Sequence, residues 1–112
     1  MQTPFFLSTV ATFQKLSPVL GTLPKGIDIE DVTIHVITAF DASATIEVGY
    51  PSDHDAYSVA VSVTTTGRKK PTLGSGVGID ATPREATAYV TGSPTAGEAV
   101  VIMDGKVLRA TI

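Results

Sequence analysis

The sequence predicts an all-β chain: a single antiparallel β-sandwich, jelly-roll-like in its connections, with seven to eight strands. Three observations carry that expectation. Apolar and polar residues alternate with a period of two in several separate runs, and a strand has that period because successive side chains point to opposite faces. Thr and Val are abundant while Glu, Lys, Leu and Gln are sparse, which favours strands over helices. Clusters of Gly, Pro, Ser and Asp punctuate the runs, and no segment between them makes a convincing helix.

The length of 112 residues amounts to one domain, 1–112, with an N-terminal arm and irregular lead-in over 1–25 and the sandwich over 26–112. A hydrophobic fraction of 43% and a mean hydropathy of +0.25 describe a folded globule rather than a disordered tail. The net charge of −3 supplies no global field to attract a polyanion, so no nucleic-acid partner is expected. There is no cysteine, hence no disulfide framework and no thiol chemistry, which is compatible with assembly in a cytoplasm. No apolar run is long enough to span a bilayer, so no membrane partner is expected. The opening MQTPFFLSTVATFQKL lacks the basic start and small-residue cleavage site of an export signal, and is expected to belong to the mature protein.

In chain order, Pro4 to Phe13 fits both alternation and helical spacing, and its Thr and Val content favours a strand. Three of the four phenylalanines stand there, which suits a strand that pairs with a neighbouring subunit. Ser17-Pro18, Gly21 and Pro24-Lys25-Gly26 break the pattern, leaving Val19, Leu20 and Leu23 as buried anchors of an irregular approach. From Ile27 to Pro51 two alternating runs flank Asp41-Ala42-Ser43-Ala44, which reads as a central hairpin. Val32, Ile34, Val36 and Phe40, with Thr38 among them, share the core side of the first run, and Ile46, Val48 and Tyr50 that of the second. Ile27 and Ile29 are out of phase with Val32 and Ile34, so a bulge belongs near Glu30-Asp31.

Pro51 to Asp55 reads as a polar loop, followed by a strand in which Tyr57, Val59, Val61 and Val63 face one way. Thr66 to Pro71 ends that strand, and Leu73 to Gly78 reads as a flexible loop. Arg84 to Thr91 alternates again, and Gly92 to Gly97 turns the chain. Ala99–Met103 and Lys106–Ile112 then flank Asp104-Gly105, the strongest short-range hairpin signal present.

Four clusters could carry chemistry. Asp53-His54-Asp55 has metal-binding residue types, but neither the acidic register nor the closing glutamate of a calcium loop, and a solvated turn is the simpler account. Gly74, Gly76 and Gly78 lack the Lys-Ser/Thr and the following helix of a phosphate loop. Arg68-Lys69-Lys70 has no interleaved aromatic residues for base stacking, and suits a solvated loop or a contact with an acidic protein neighbour. No Gly-x-Ser-x-Gly elbow is present, and paired carboxylates such as Asp28/Glu30 would need a cleft between them. No catalytic residue, metal or cofactor is therefore expected, and the chain is read as not an enzyme.

The outward positions are more informative. Thr33, Ile37, Ala39, Thr45, Ser58, Ala60, Ser62, Thr87, Tyr89 and Thr91 form small, neutral, Thr-rich faces, whereas a freely solvated sheet carries Lys and Glu. Either a second sheet of the same chain covers them or another subunit does. The candidate contact residues are Phe5, Phe6, Val10, Phe13, Ile37 and Tyr89.

One segment resembles a known group. Gly26-Ile27-x-Ile29, then Val32-x-Ile34-x-Val36-x-Thr38-Ala39-Phe40-Asp41, Thr45-Ile46-x-Val48-Gly49 and Asp53-x-Asp55-Ala56-Tyr57 resemble a family of small tailed-bacteriophage virion structural proteins. Ser93-Pro94-Thr95-Ala96-Gly97-Glu98-Ala99-Val100-Val101 is similar to the turn and strand that close its members. The resemblance implies β-sandwich subunits that decorate capsids or form head fibres and tail parts, without catalytic residues. It implies a virion location, a homo-oligomer (trimeric by preference) and the major capsid protein or another virion protein as partner. The alternative it leaves open is a tail-fibre or baseplate module that binds host surface sugars, for which Tyr50, Tyr57 and Tyr89 would supply the platform.

Overall fold

The computed structural model describes residues 2–23, 26–77 and 84–108. Among them the strands are β1 (Gln2–Thr12), β2 (Val19–Leu23), β3 (Ile27–Thr38), β4 (Thr45–Tyr50), β5 (Asp53–Ser62), β6 (Gly67–Lys69), β7 (Arg84–Thr91) and β8 (Glu98–Leu108). β1 pairs with β8, β2 with β7, β3 with β6 and β4 with β5, all antiparallel. Pairs nested in this way are one long hairpin with its tip between β4 and β5. Two further ladders, β3–β8 and β4–β7, roll that hairpin up. The result is two four-stranded sheets, β1-β8-β3-β6 and β2-β7-β4-β5. This is the jelly-roll sandwich that the alternation predicts.

The inward faces meet as expected. Val32, Ile34 and Val36 from β3 and Val101 and Met103 from β8 are buried against Ile46 and Val48 of β4 and Ala86, Ala88 and Val90 of β7. Each such branched side chain contributes about 1.5–3 kcal/mol on removal from water. The bulge expected near Glu30-Asp31 is present, as a register shift against β8 between Ile29 and Asp31.

Several expectations are corrected. Residues 27–51 are not a hairpin: β3 and β4 lie in opposite sheets, and 39–44 carries the chain across the core edge with Phe40 and Ala44 buried. Alternation shows which side chains point inward, and it looks the same whether two strands lie side by side or face each other across a core. Asp104-Gly105 is not a turn either, because β8 runs through it unbroken. Gly105 stands opposite the β3 bulge, where any Cβ would overlap the Asp28 carbonyl oxygen. Residues 109–112 of the expected last strand lie outside the described residues.

Residues 1–25 were expected to hold an arm and lead-in, yet β1 and β2 supply one strand to each sheet. Leu20 and Leu23 are buried there, whereas Val19 is 47% exposed. Asp53-His54-Asp55 begins β5 instead of forming a loop, and passes over Gly49 too closely for a side chain at that position. Two register shifts along the β4–β5 ladder rotate β5, so Val59 is exposed while Tyr57, Ser58 and Val63 are buried. Of the expected flexible loop, Ser75–Val77 forms a 3-10 turn, and Gly74 and Gly76 pack on the Ala56 backbone. Gly78 lies outside the described residues.

Candidate interaction surface

The outer face of the β1-β8-β3-β6 sheet is laid out by register. Phe6 lies opposite Asp104 and Asp104 opposite Asp31; the next outward row is Ser8, Ile102 and Thr33, and the next is Val10, Val100, His35 and Arg68. The two middle rows, from Ser8 to Thr33 and from Val10 to His35, therefore hold no carboxylate or ammonium group, while Asp104 on the central strand stands directly beside Phe6. Lys70 pairs with Asp31 and also donates to the Thr33 hydroxyl at 3.3 Å, closing one margin. Both partners of that ion pair are well exposed, so it contributes little to stability.

The candidate contact residues separate on this frame. Phe6 is 66% exposed and Val10 43%, and both stand on the outer face of β1. Ile37 is 51% exposed and follows Thr33 and His35 along the same side of β3. Phe5 turns inward and packs against the core. Phe13 lies in the turn after β1, its N–H donating to the Gly97 carbonyl at 3.2 Å. Tyr89 belongs to the other sheet, where the His54 ring stacks on it at 3.8 Å with only 9° between the planes. Val100 and Ile102 belong to this surface but were not singled out from sequence. Their signal is the continuous apolar run from Ala99 to Met103, which marks a central strand apolar on both sides.

Among the described residues the chemical clusters stay apart from one another. A hydrogen bond between the Asp53 and Asp55 carboxyls, followed by burial, holds Asp53 above its ordinary value. His54 turns from both to lie on Tyr89, and among the described residues no three His, Cys, Asp or Glu side chains meet at a metal-binding spacing. A groove of about 420 Å³ opens beside the β3 bulge between Phe5, Phe6, Glu30, Asp104, Gly105 and Lys106. Its cation is partnered, Lys106 lying 3.5 Å from Glu30. The tyrosines form no open platform. Tyr50 and Tyr57 meet at 5.7 Å between ring centroids, with the Arg84 guanidinium 4.4 Å above the Tyr50 ring, but Tyr57 is only 2% exposed.

No protein-family model and no curated protein matches the chain. Solved structures do. A chain of the acidic stable capsid of Helicobacter pylori bacteriophage KHP30 superposes with a TM-score of 0.72 at 12% identity, covering 95% of this chain and 93% of that one. A chain of the cyanophage Pam1 capsid asymmetric unit gives 0.73 at 16% identity, over 96% and 86%. The fold is one found in bacteriophage capsids. A chain of the capsid of Ralstonia phage GP4 adds a third case, with a TM-score of 0.63 at 14% identity over 99% of this chain and 86% of that one. At such identities the shared property is the path of the backbone through both sheets, and the side chains of the surface are this chain's own.

Proposed function

We propose that this chain is a non-enzymatic bacteriophage virion structural protein, a decoration or cement subunit that stabilises the capsid shell. The observation that carries this reading is the likeness, over most of both chains, to chains of three phage capsids. The Val100 and Ile102 rows of the β1-β8-β3-β6 outer face supply a contact surface whose middle carries no carboxylate or ammonium group, with Asp104 beside Phe6 at one end. The partners are further copies of this chain and the major capsid protein or another virion protein, and the place of action is the virion, assembled in the host cytoplasm. The mechanism is mass action: a subunit that binds assembled shell but not free coat protein shifts the equilibrium toward the shell. Repetition over a symmetric lattice lets modest single contacts act together.

Mass spectrometry of purified virions tests this directly, the expected result being recovery of the chain with the particles. In a sedimentation assay, Phe6→Ser and Val10→Lys should reduce capture by intact shells while leaving the melting temperature unchanged. Absence from the particles, or equal binding to free coat subunits, would overturn the proposal. No observation favours the sugar-binding alternative, since its tyrosine platform is not open.

A further inference from the structure

The free edge of β1 carries a pattern that reads the same from either end. Thr12 and Lys15 exchange backbone hydrogen bonds, Thr12 N–H donating to the Lys15 carbonyl at 3.4 Å and Lys15 N–H to the Thr12 carbonyl at 3.0 Å. Thr12 thus turns its backbone groups away from β8. In an antiparallel ladder, residues whose N–H and C=O both meet the neighbour alternate with residues whose groups both point the other way. The β1–β8 register is unbroken from Gln2 opposite Leu108 to Thr12 opposite Glu98. Pro4, Phe6, Ser8 and Val10 therefore share the outward orientation of Thr12. Pro4 has no N–H to lose, and an edge facing away from the ladder is where a strand tolerates it.

The open edge consequently offers a complete donor–acceptor set at Phe6, Ser8 and Val10. Pro4 ends it on one side and the Thr12–Lys15 turn on the other. Gln2–Thr12 contains no charged residue, so the charges that natural edge strands use against pairing are missing here.

We propose that β1 pairs with β1 of a second copy, antiparallel about a two-fold axis at Ser8, joining two four-stranded sheets into one of eight. In this register Ser8 faces the partner's Ser8 and Phe6 faces the partner's Val10. All three residues on each strand then use both backbone groups. A shift of two residues toward Thr12 sets Phe6 against that occupied residue and loses two bonds, whereas the opposite shift sets Val10 against Pro4 and leaves the Val10 carbonyl of each strand unpaired. The side chains agree with the backbone: exposed Phe6 and Val10 cover one another across the new ladder, with no like charges opposed. This geometry is two-fold, in place of the three-fold symmetry that the family resemblance suggested, because only a two-fold axis sets β1 on β1. The contact is a property of the isolated chain, so the mass of the free protein and the recovery of the chain from virions succeed or fail separately.

Size-exclusion chromatography with light scattering on the intact chain and its variants decides the matter. The wild type should run at twice the chain mass. Ser8→Lys and Ser8→Glu should each run at once the chain mass and keep the wild-type circular-dichroism spectrum, since the Ser8 side chain is exposed and its N–H points away from β8. Mixing the two variants should restore the double mass. Because the chain has no cysteine, Ser8→Cys should oxidise to a covalent dimer while Ser93→Cys does not. A monomeric or trimeric wild type, a dimer that persists in Ser8→Lys, or a mixture that stays monomeric would each overturn the proposal.

Discussion

The Asp41 carboxylate is held by Thr95, a residue 54 positions away in sequence: it accepts the Thr95 N–H at 2.6 Å and the Thr95 hydroxyl at 2.5 Å. The Ala96 N–H adds a third bond at 3.3 Å. This clamp ties the β3–β4 crossing to the turn between β7 and β8. Beside it the Phe40 ring lies on Gly97, so close that any Cβ there would overlap the ring, and Gly97 has a φ of 137° besides. Two of the segments that carry the virion-protein resemblance, Val32 to Asp41 and Ser93 to Val101, are therefore joined in space.

The clamp makes stability depend on pH at its acid end. Donation from the Thr95 hydroxyl first, and then from the Thr95 backbone, lowers the Asp41 pKa below its ordinary 3.8. The folded chain thus takes up this proton less readily than the unfolded chain. The contribution is complete well above pH 3.8 and is lost as pH falls through the lower folded value. Asp41→Asn should lower the melting temperature near neutral pH, and the gap from wild type should close as the pH is taken below 3.8. A gap that stays constant with pH would show that the charge is not what matters.

Gly105→Ala should be costly for its size. The added Cβ meets the Asp28 carbonyl, which belongs to the β3 backbone and cannot swing aside. Overpacking of this kind costs about 1–3 kcal/mol. An unfolding free energy in urea lowered by that amount is expected, and an unchanged value would mean that β8 does not pass β3 closely at the bulge.

Ser43→Gly should do the opposite. Ala42 and Ser43 have φ values of 57° and 56°, and the Ala44 N–H donates to the Asp41 carbonyl at 3.2 Å, closing the turn. Left-handed residues with a Cβ cost roughly 1–2 kcal/mol each, and glycine avoids this at a smaller cost in chain entropy. The variant should gain about 0.5–1 kcal/mol in denaturant unfolding, and a loss would contradict the turn geometry.

Ser58→Ala should be neutral or stabilising, although the side chain is fully buried. The Ser58 hydroxyl has no hydrogen-bond partner among the described residues, and an unpaired buried polar group costs about 1–3 kcal/mol. A gain of up to about 1 kcal/mol in the same assay is expected. A clear loss would reveal a partner that the wild-type hydroxyl does hold.

The proposed contact surface was half legible in the sequence. Phe6, Val10 and Ile37 stood out as apolar residues on neutral strand faces, and the structure leaves all three exposed on one sheet. Phe5 and Tyr89 carry the same composition signal but are engaged within the chain, Phe5 by the core and half-buried Tyr89 by the exposed His54 ring on the other sheet. Val100 and Ile102 were hidden by Asp104-Gly105, since a presumed turn removed them from a central strand. An Asp-Gly pair signals a hairpin through backbone freedom, and the same freedom serves a close crossing between strands.

The sequence by itself determined that the chain is built from strands, which residues of β3, β4 and β7 alternate inward, and the first of the two bulges of β3, the second lying between Val36 and Thr38. Those properties are local, because side-chain parity along a strand follows from its own backbone. Only the tertiary structure decided which strands are neighbours, that β3 and β4 face each other across the core, and that β1 keeps an open edge. Pairing depends on which donors and acceptors remain unused once every ladder has formed, and no single stretch of chain contains that information.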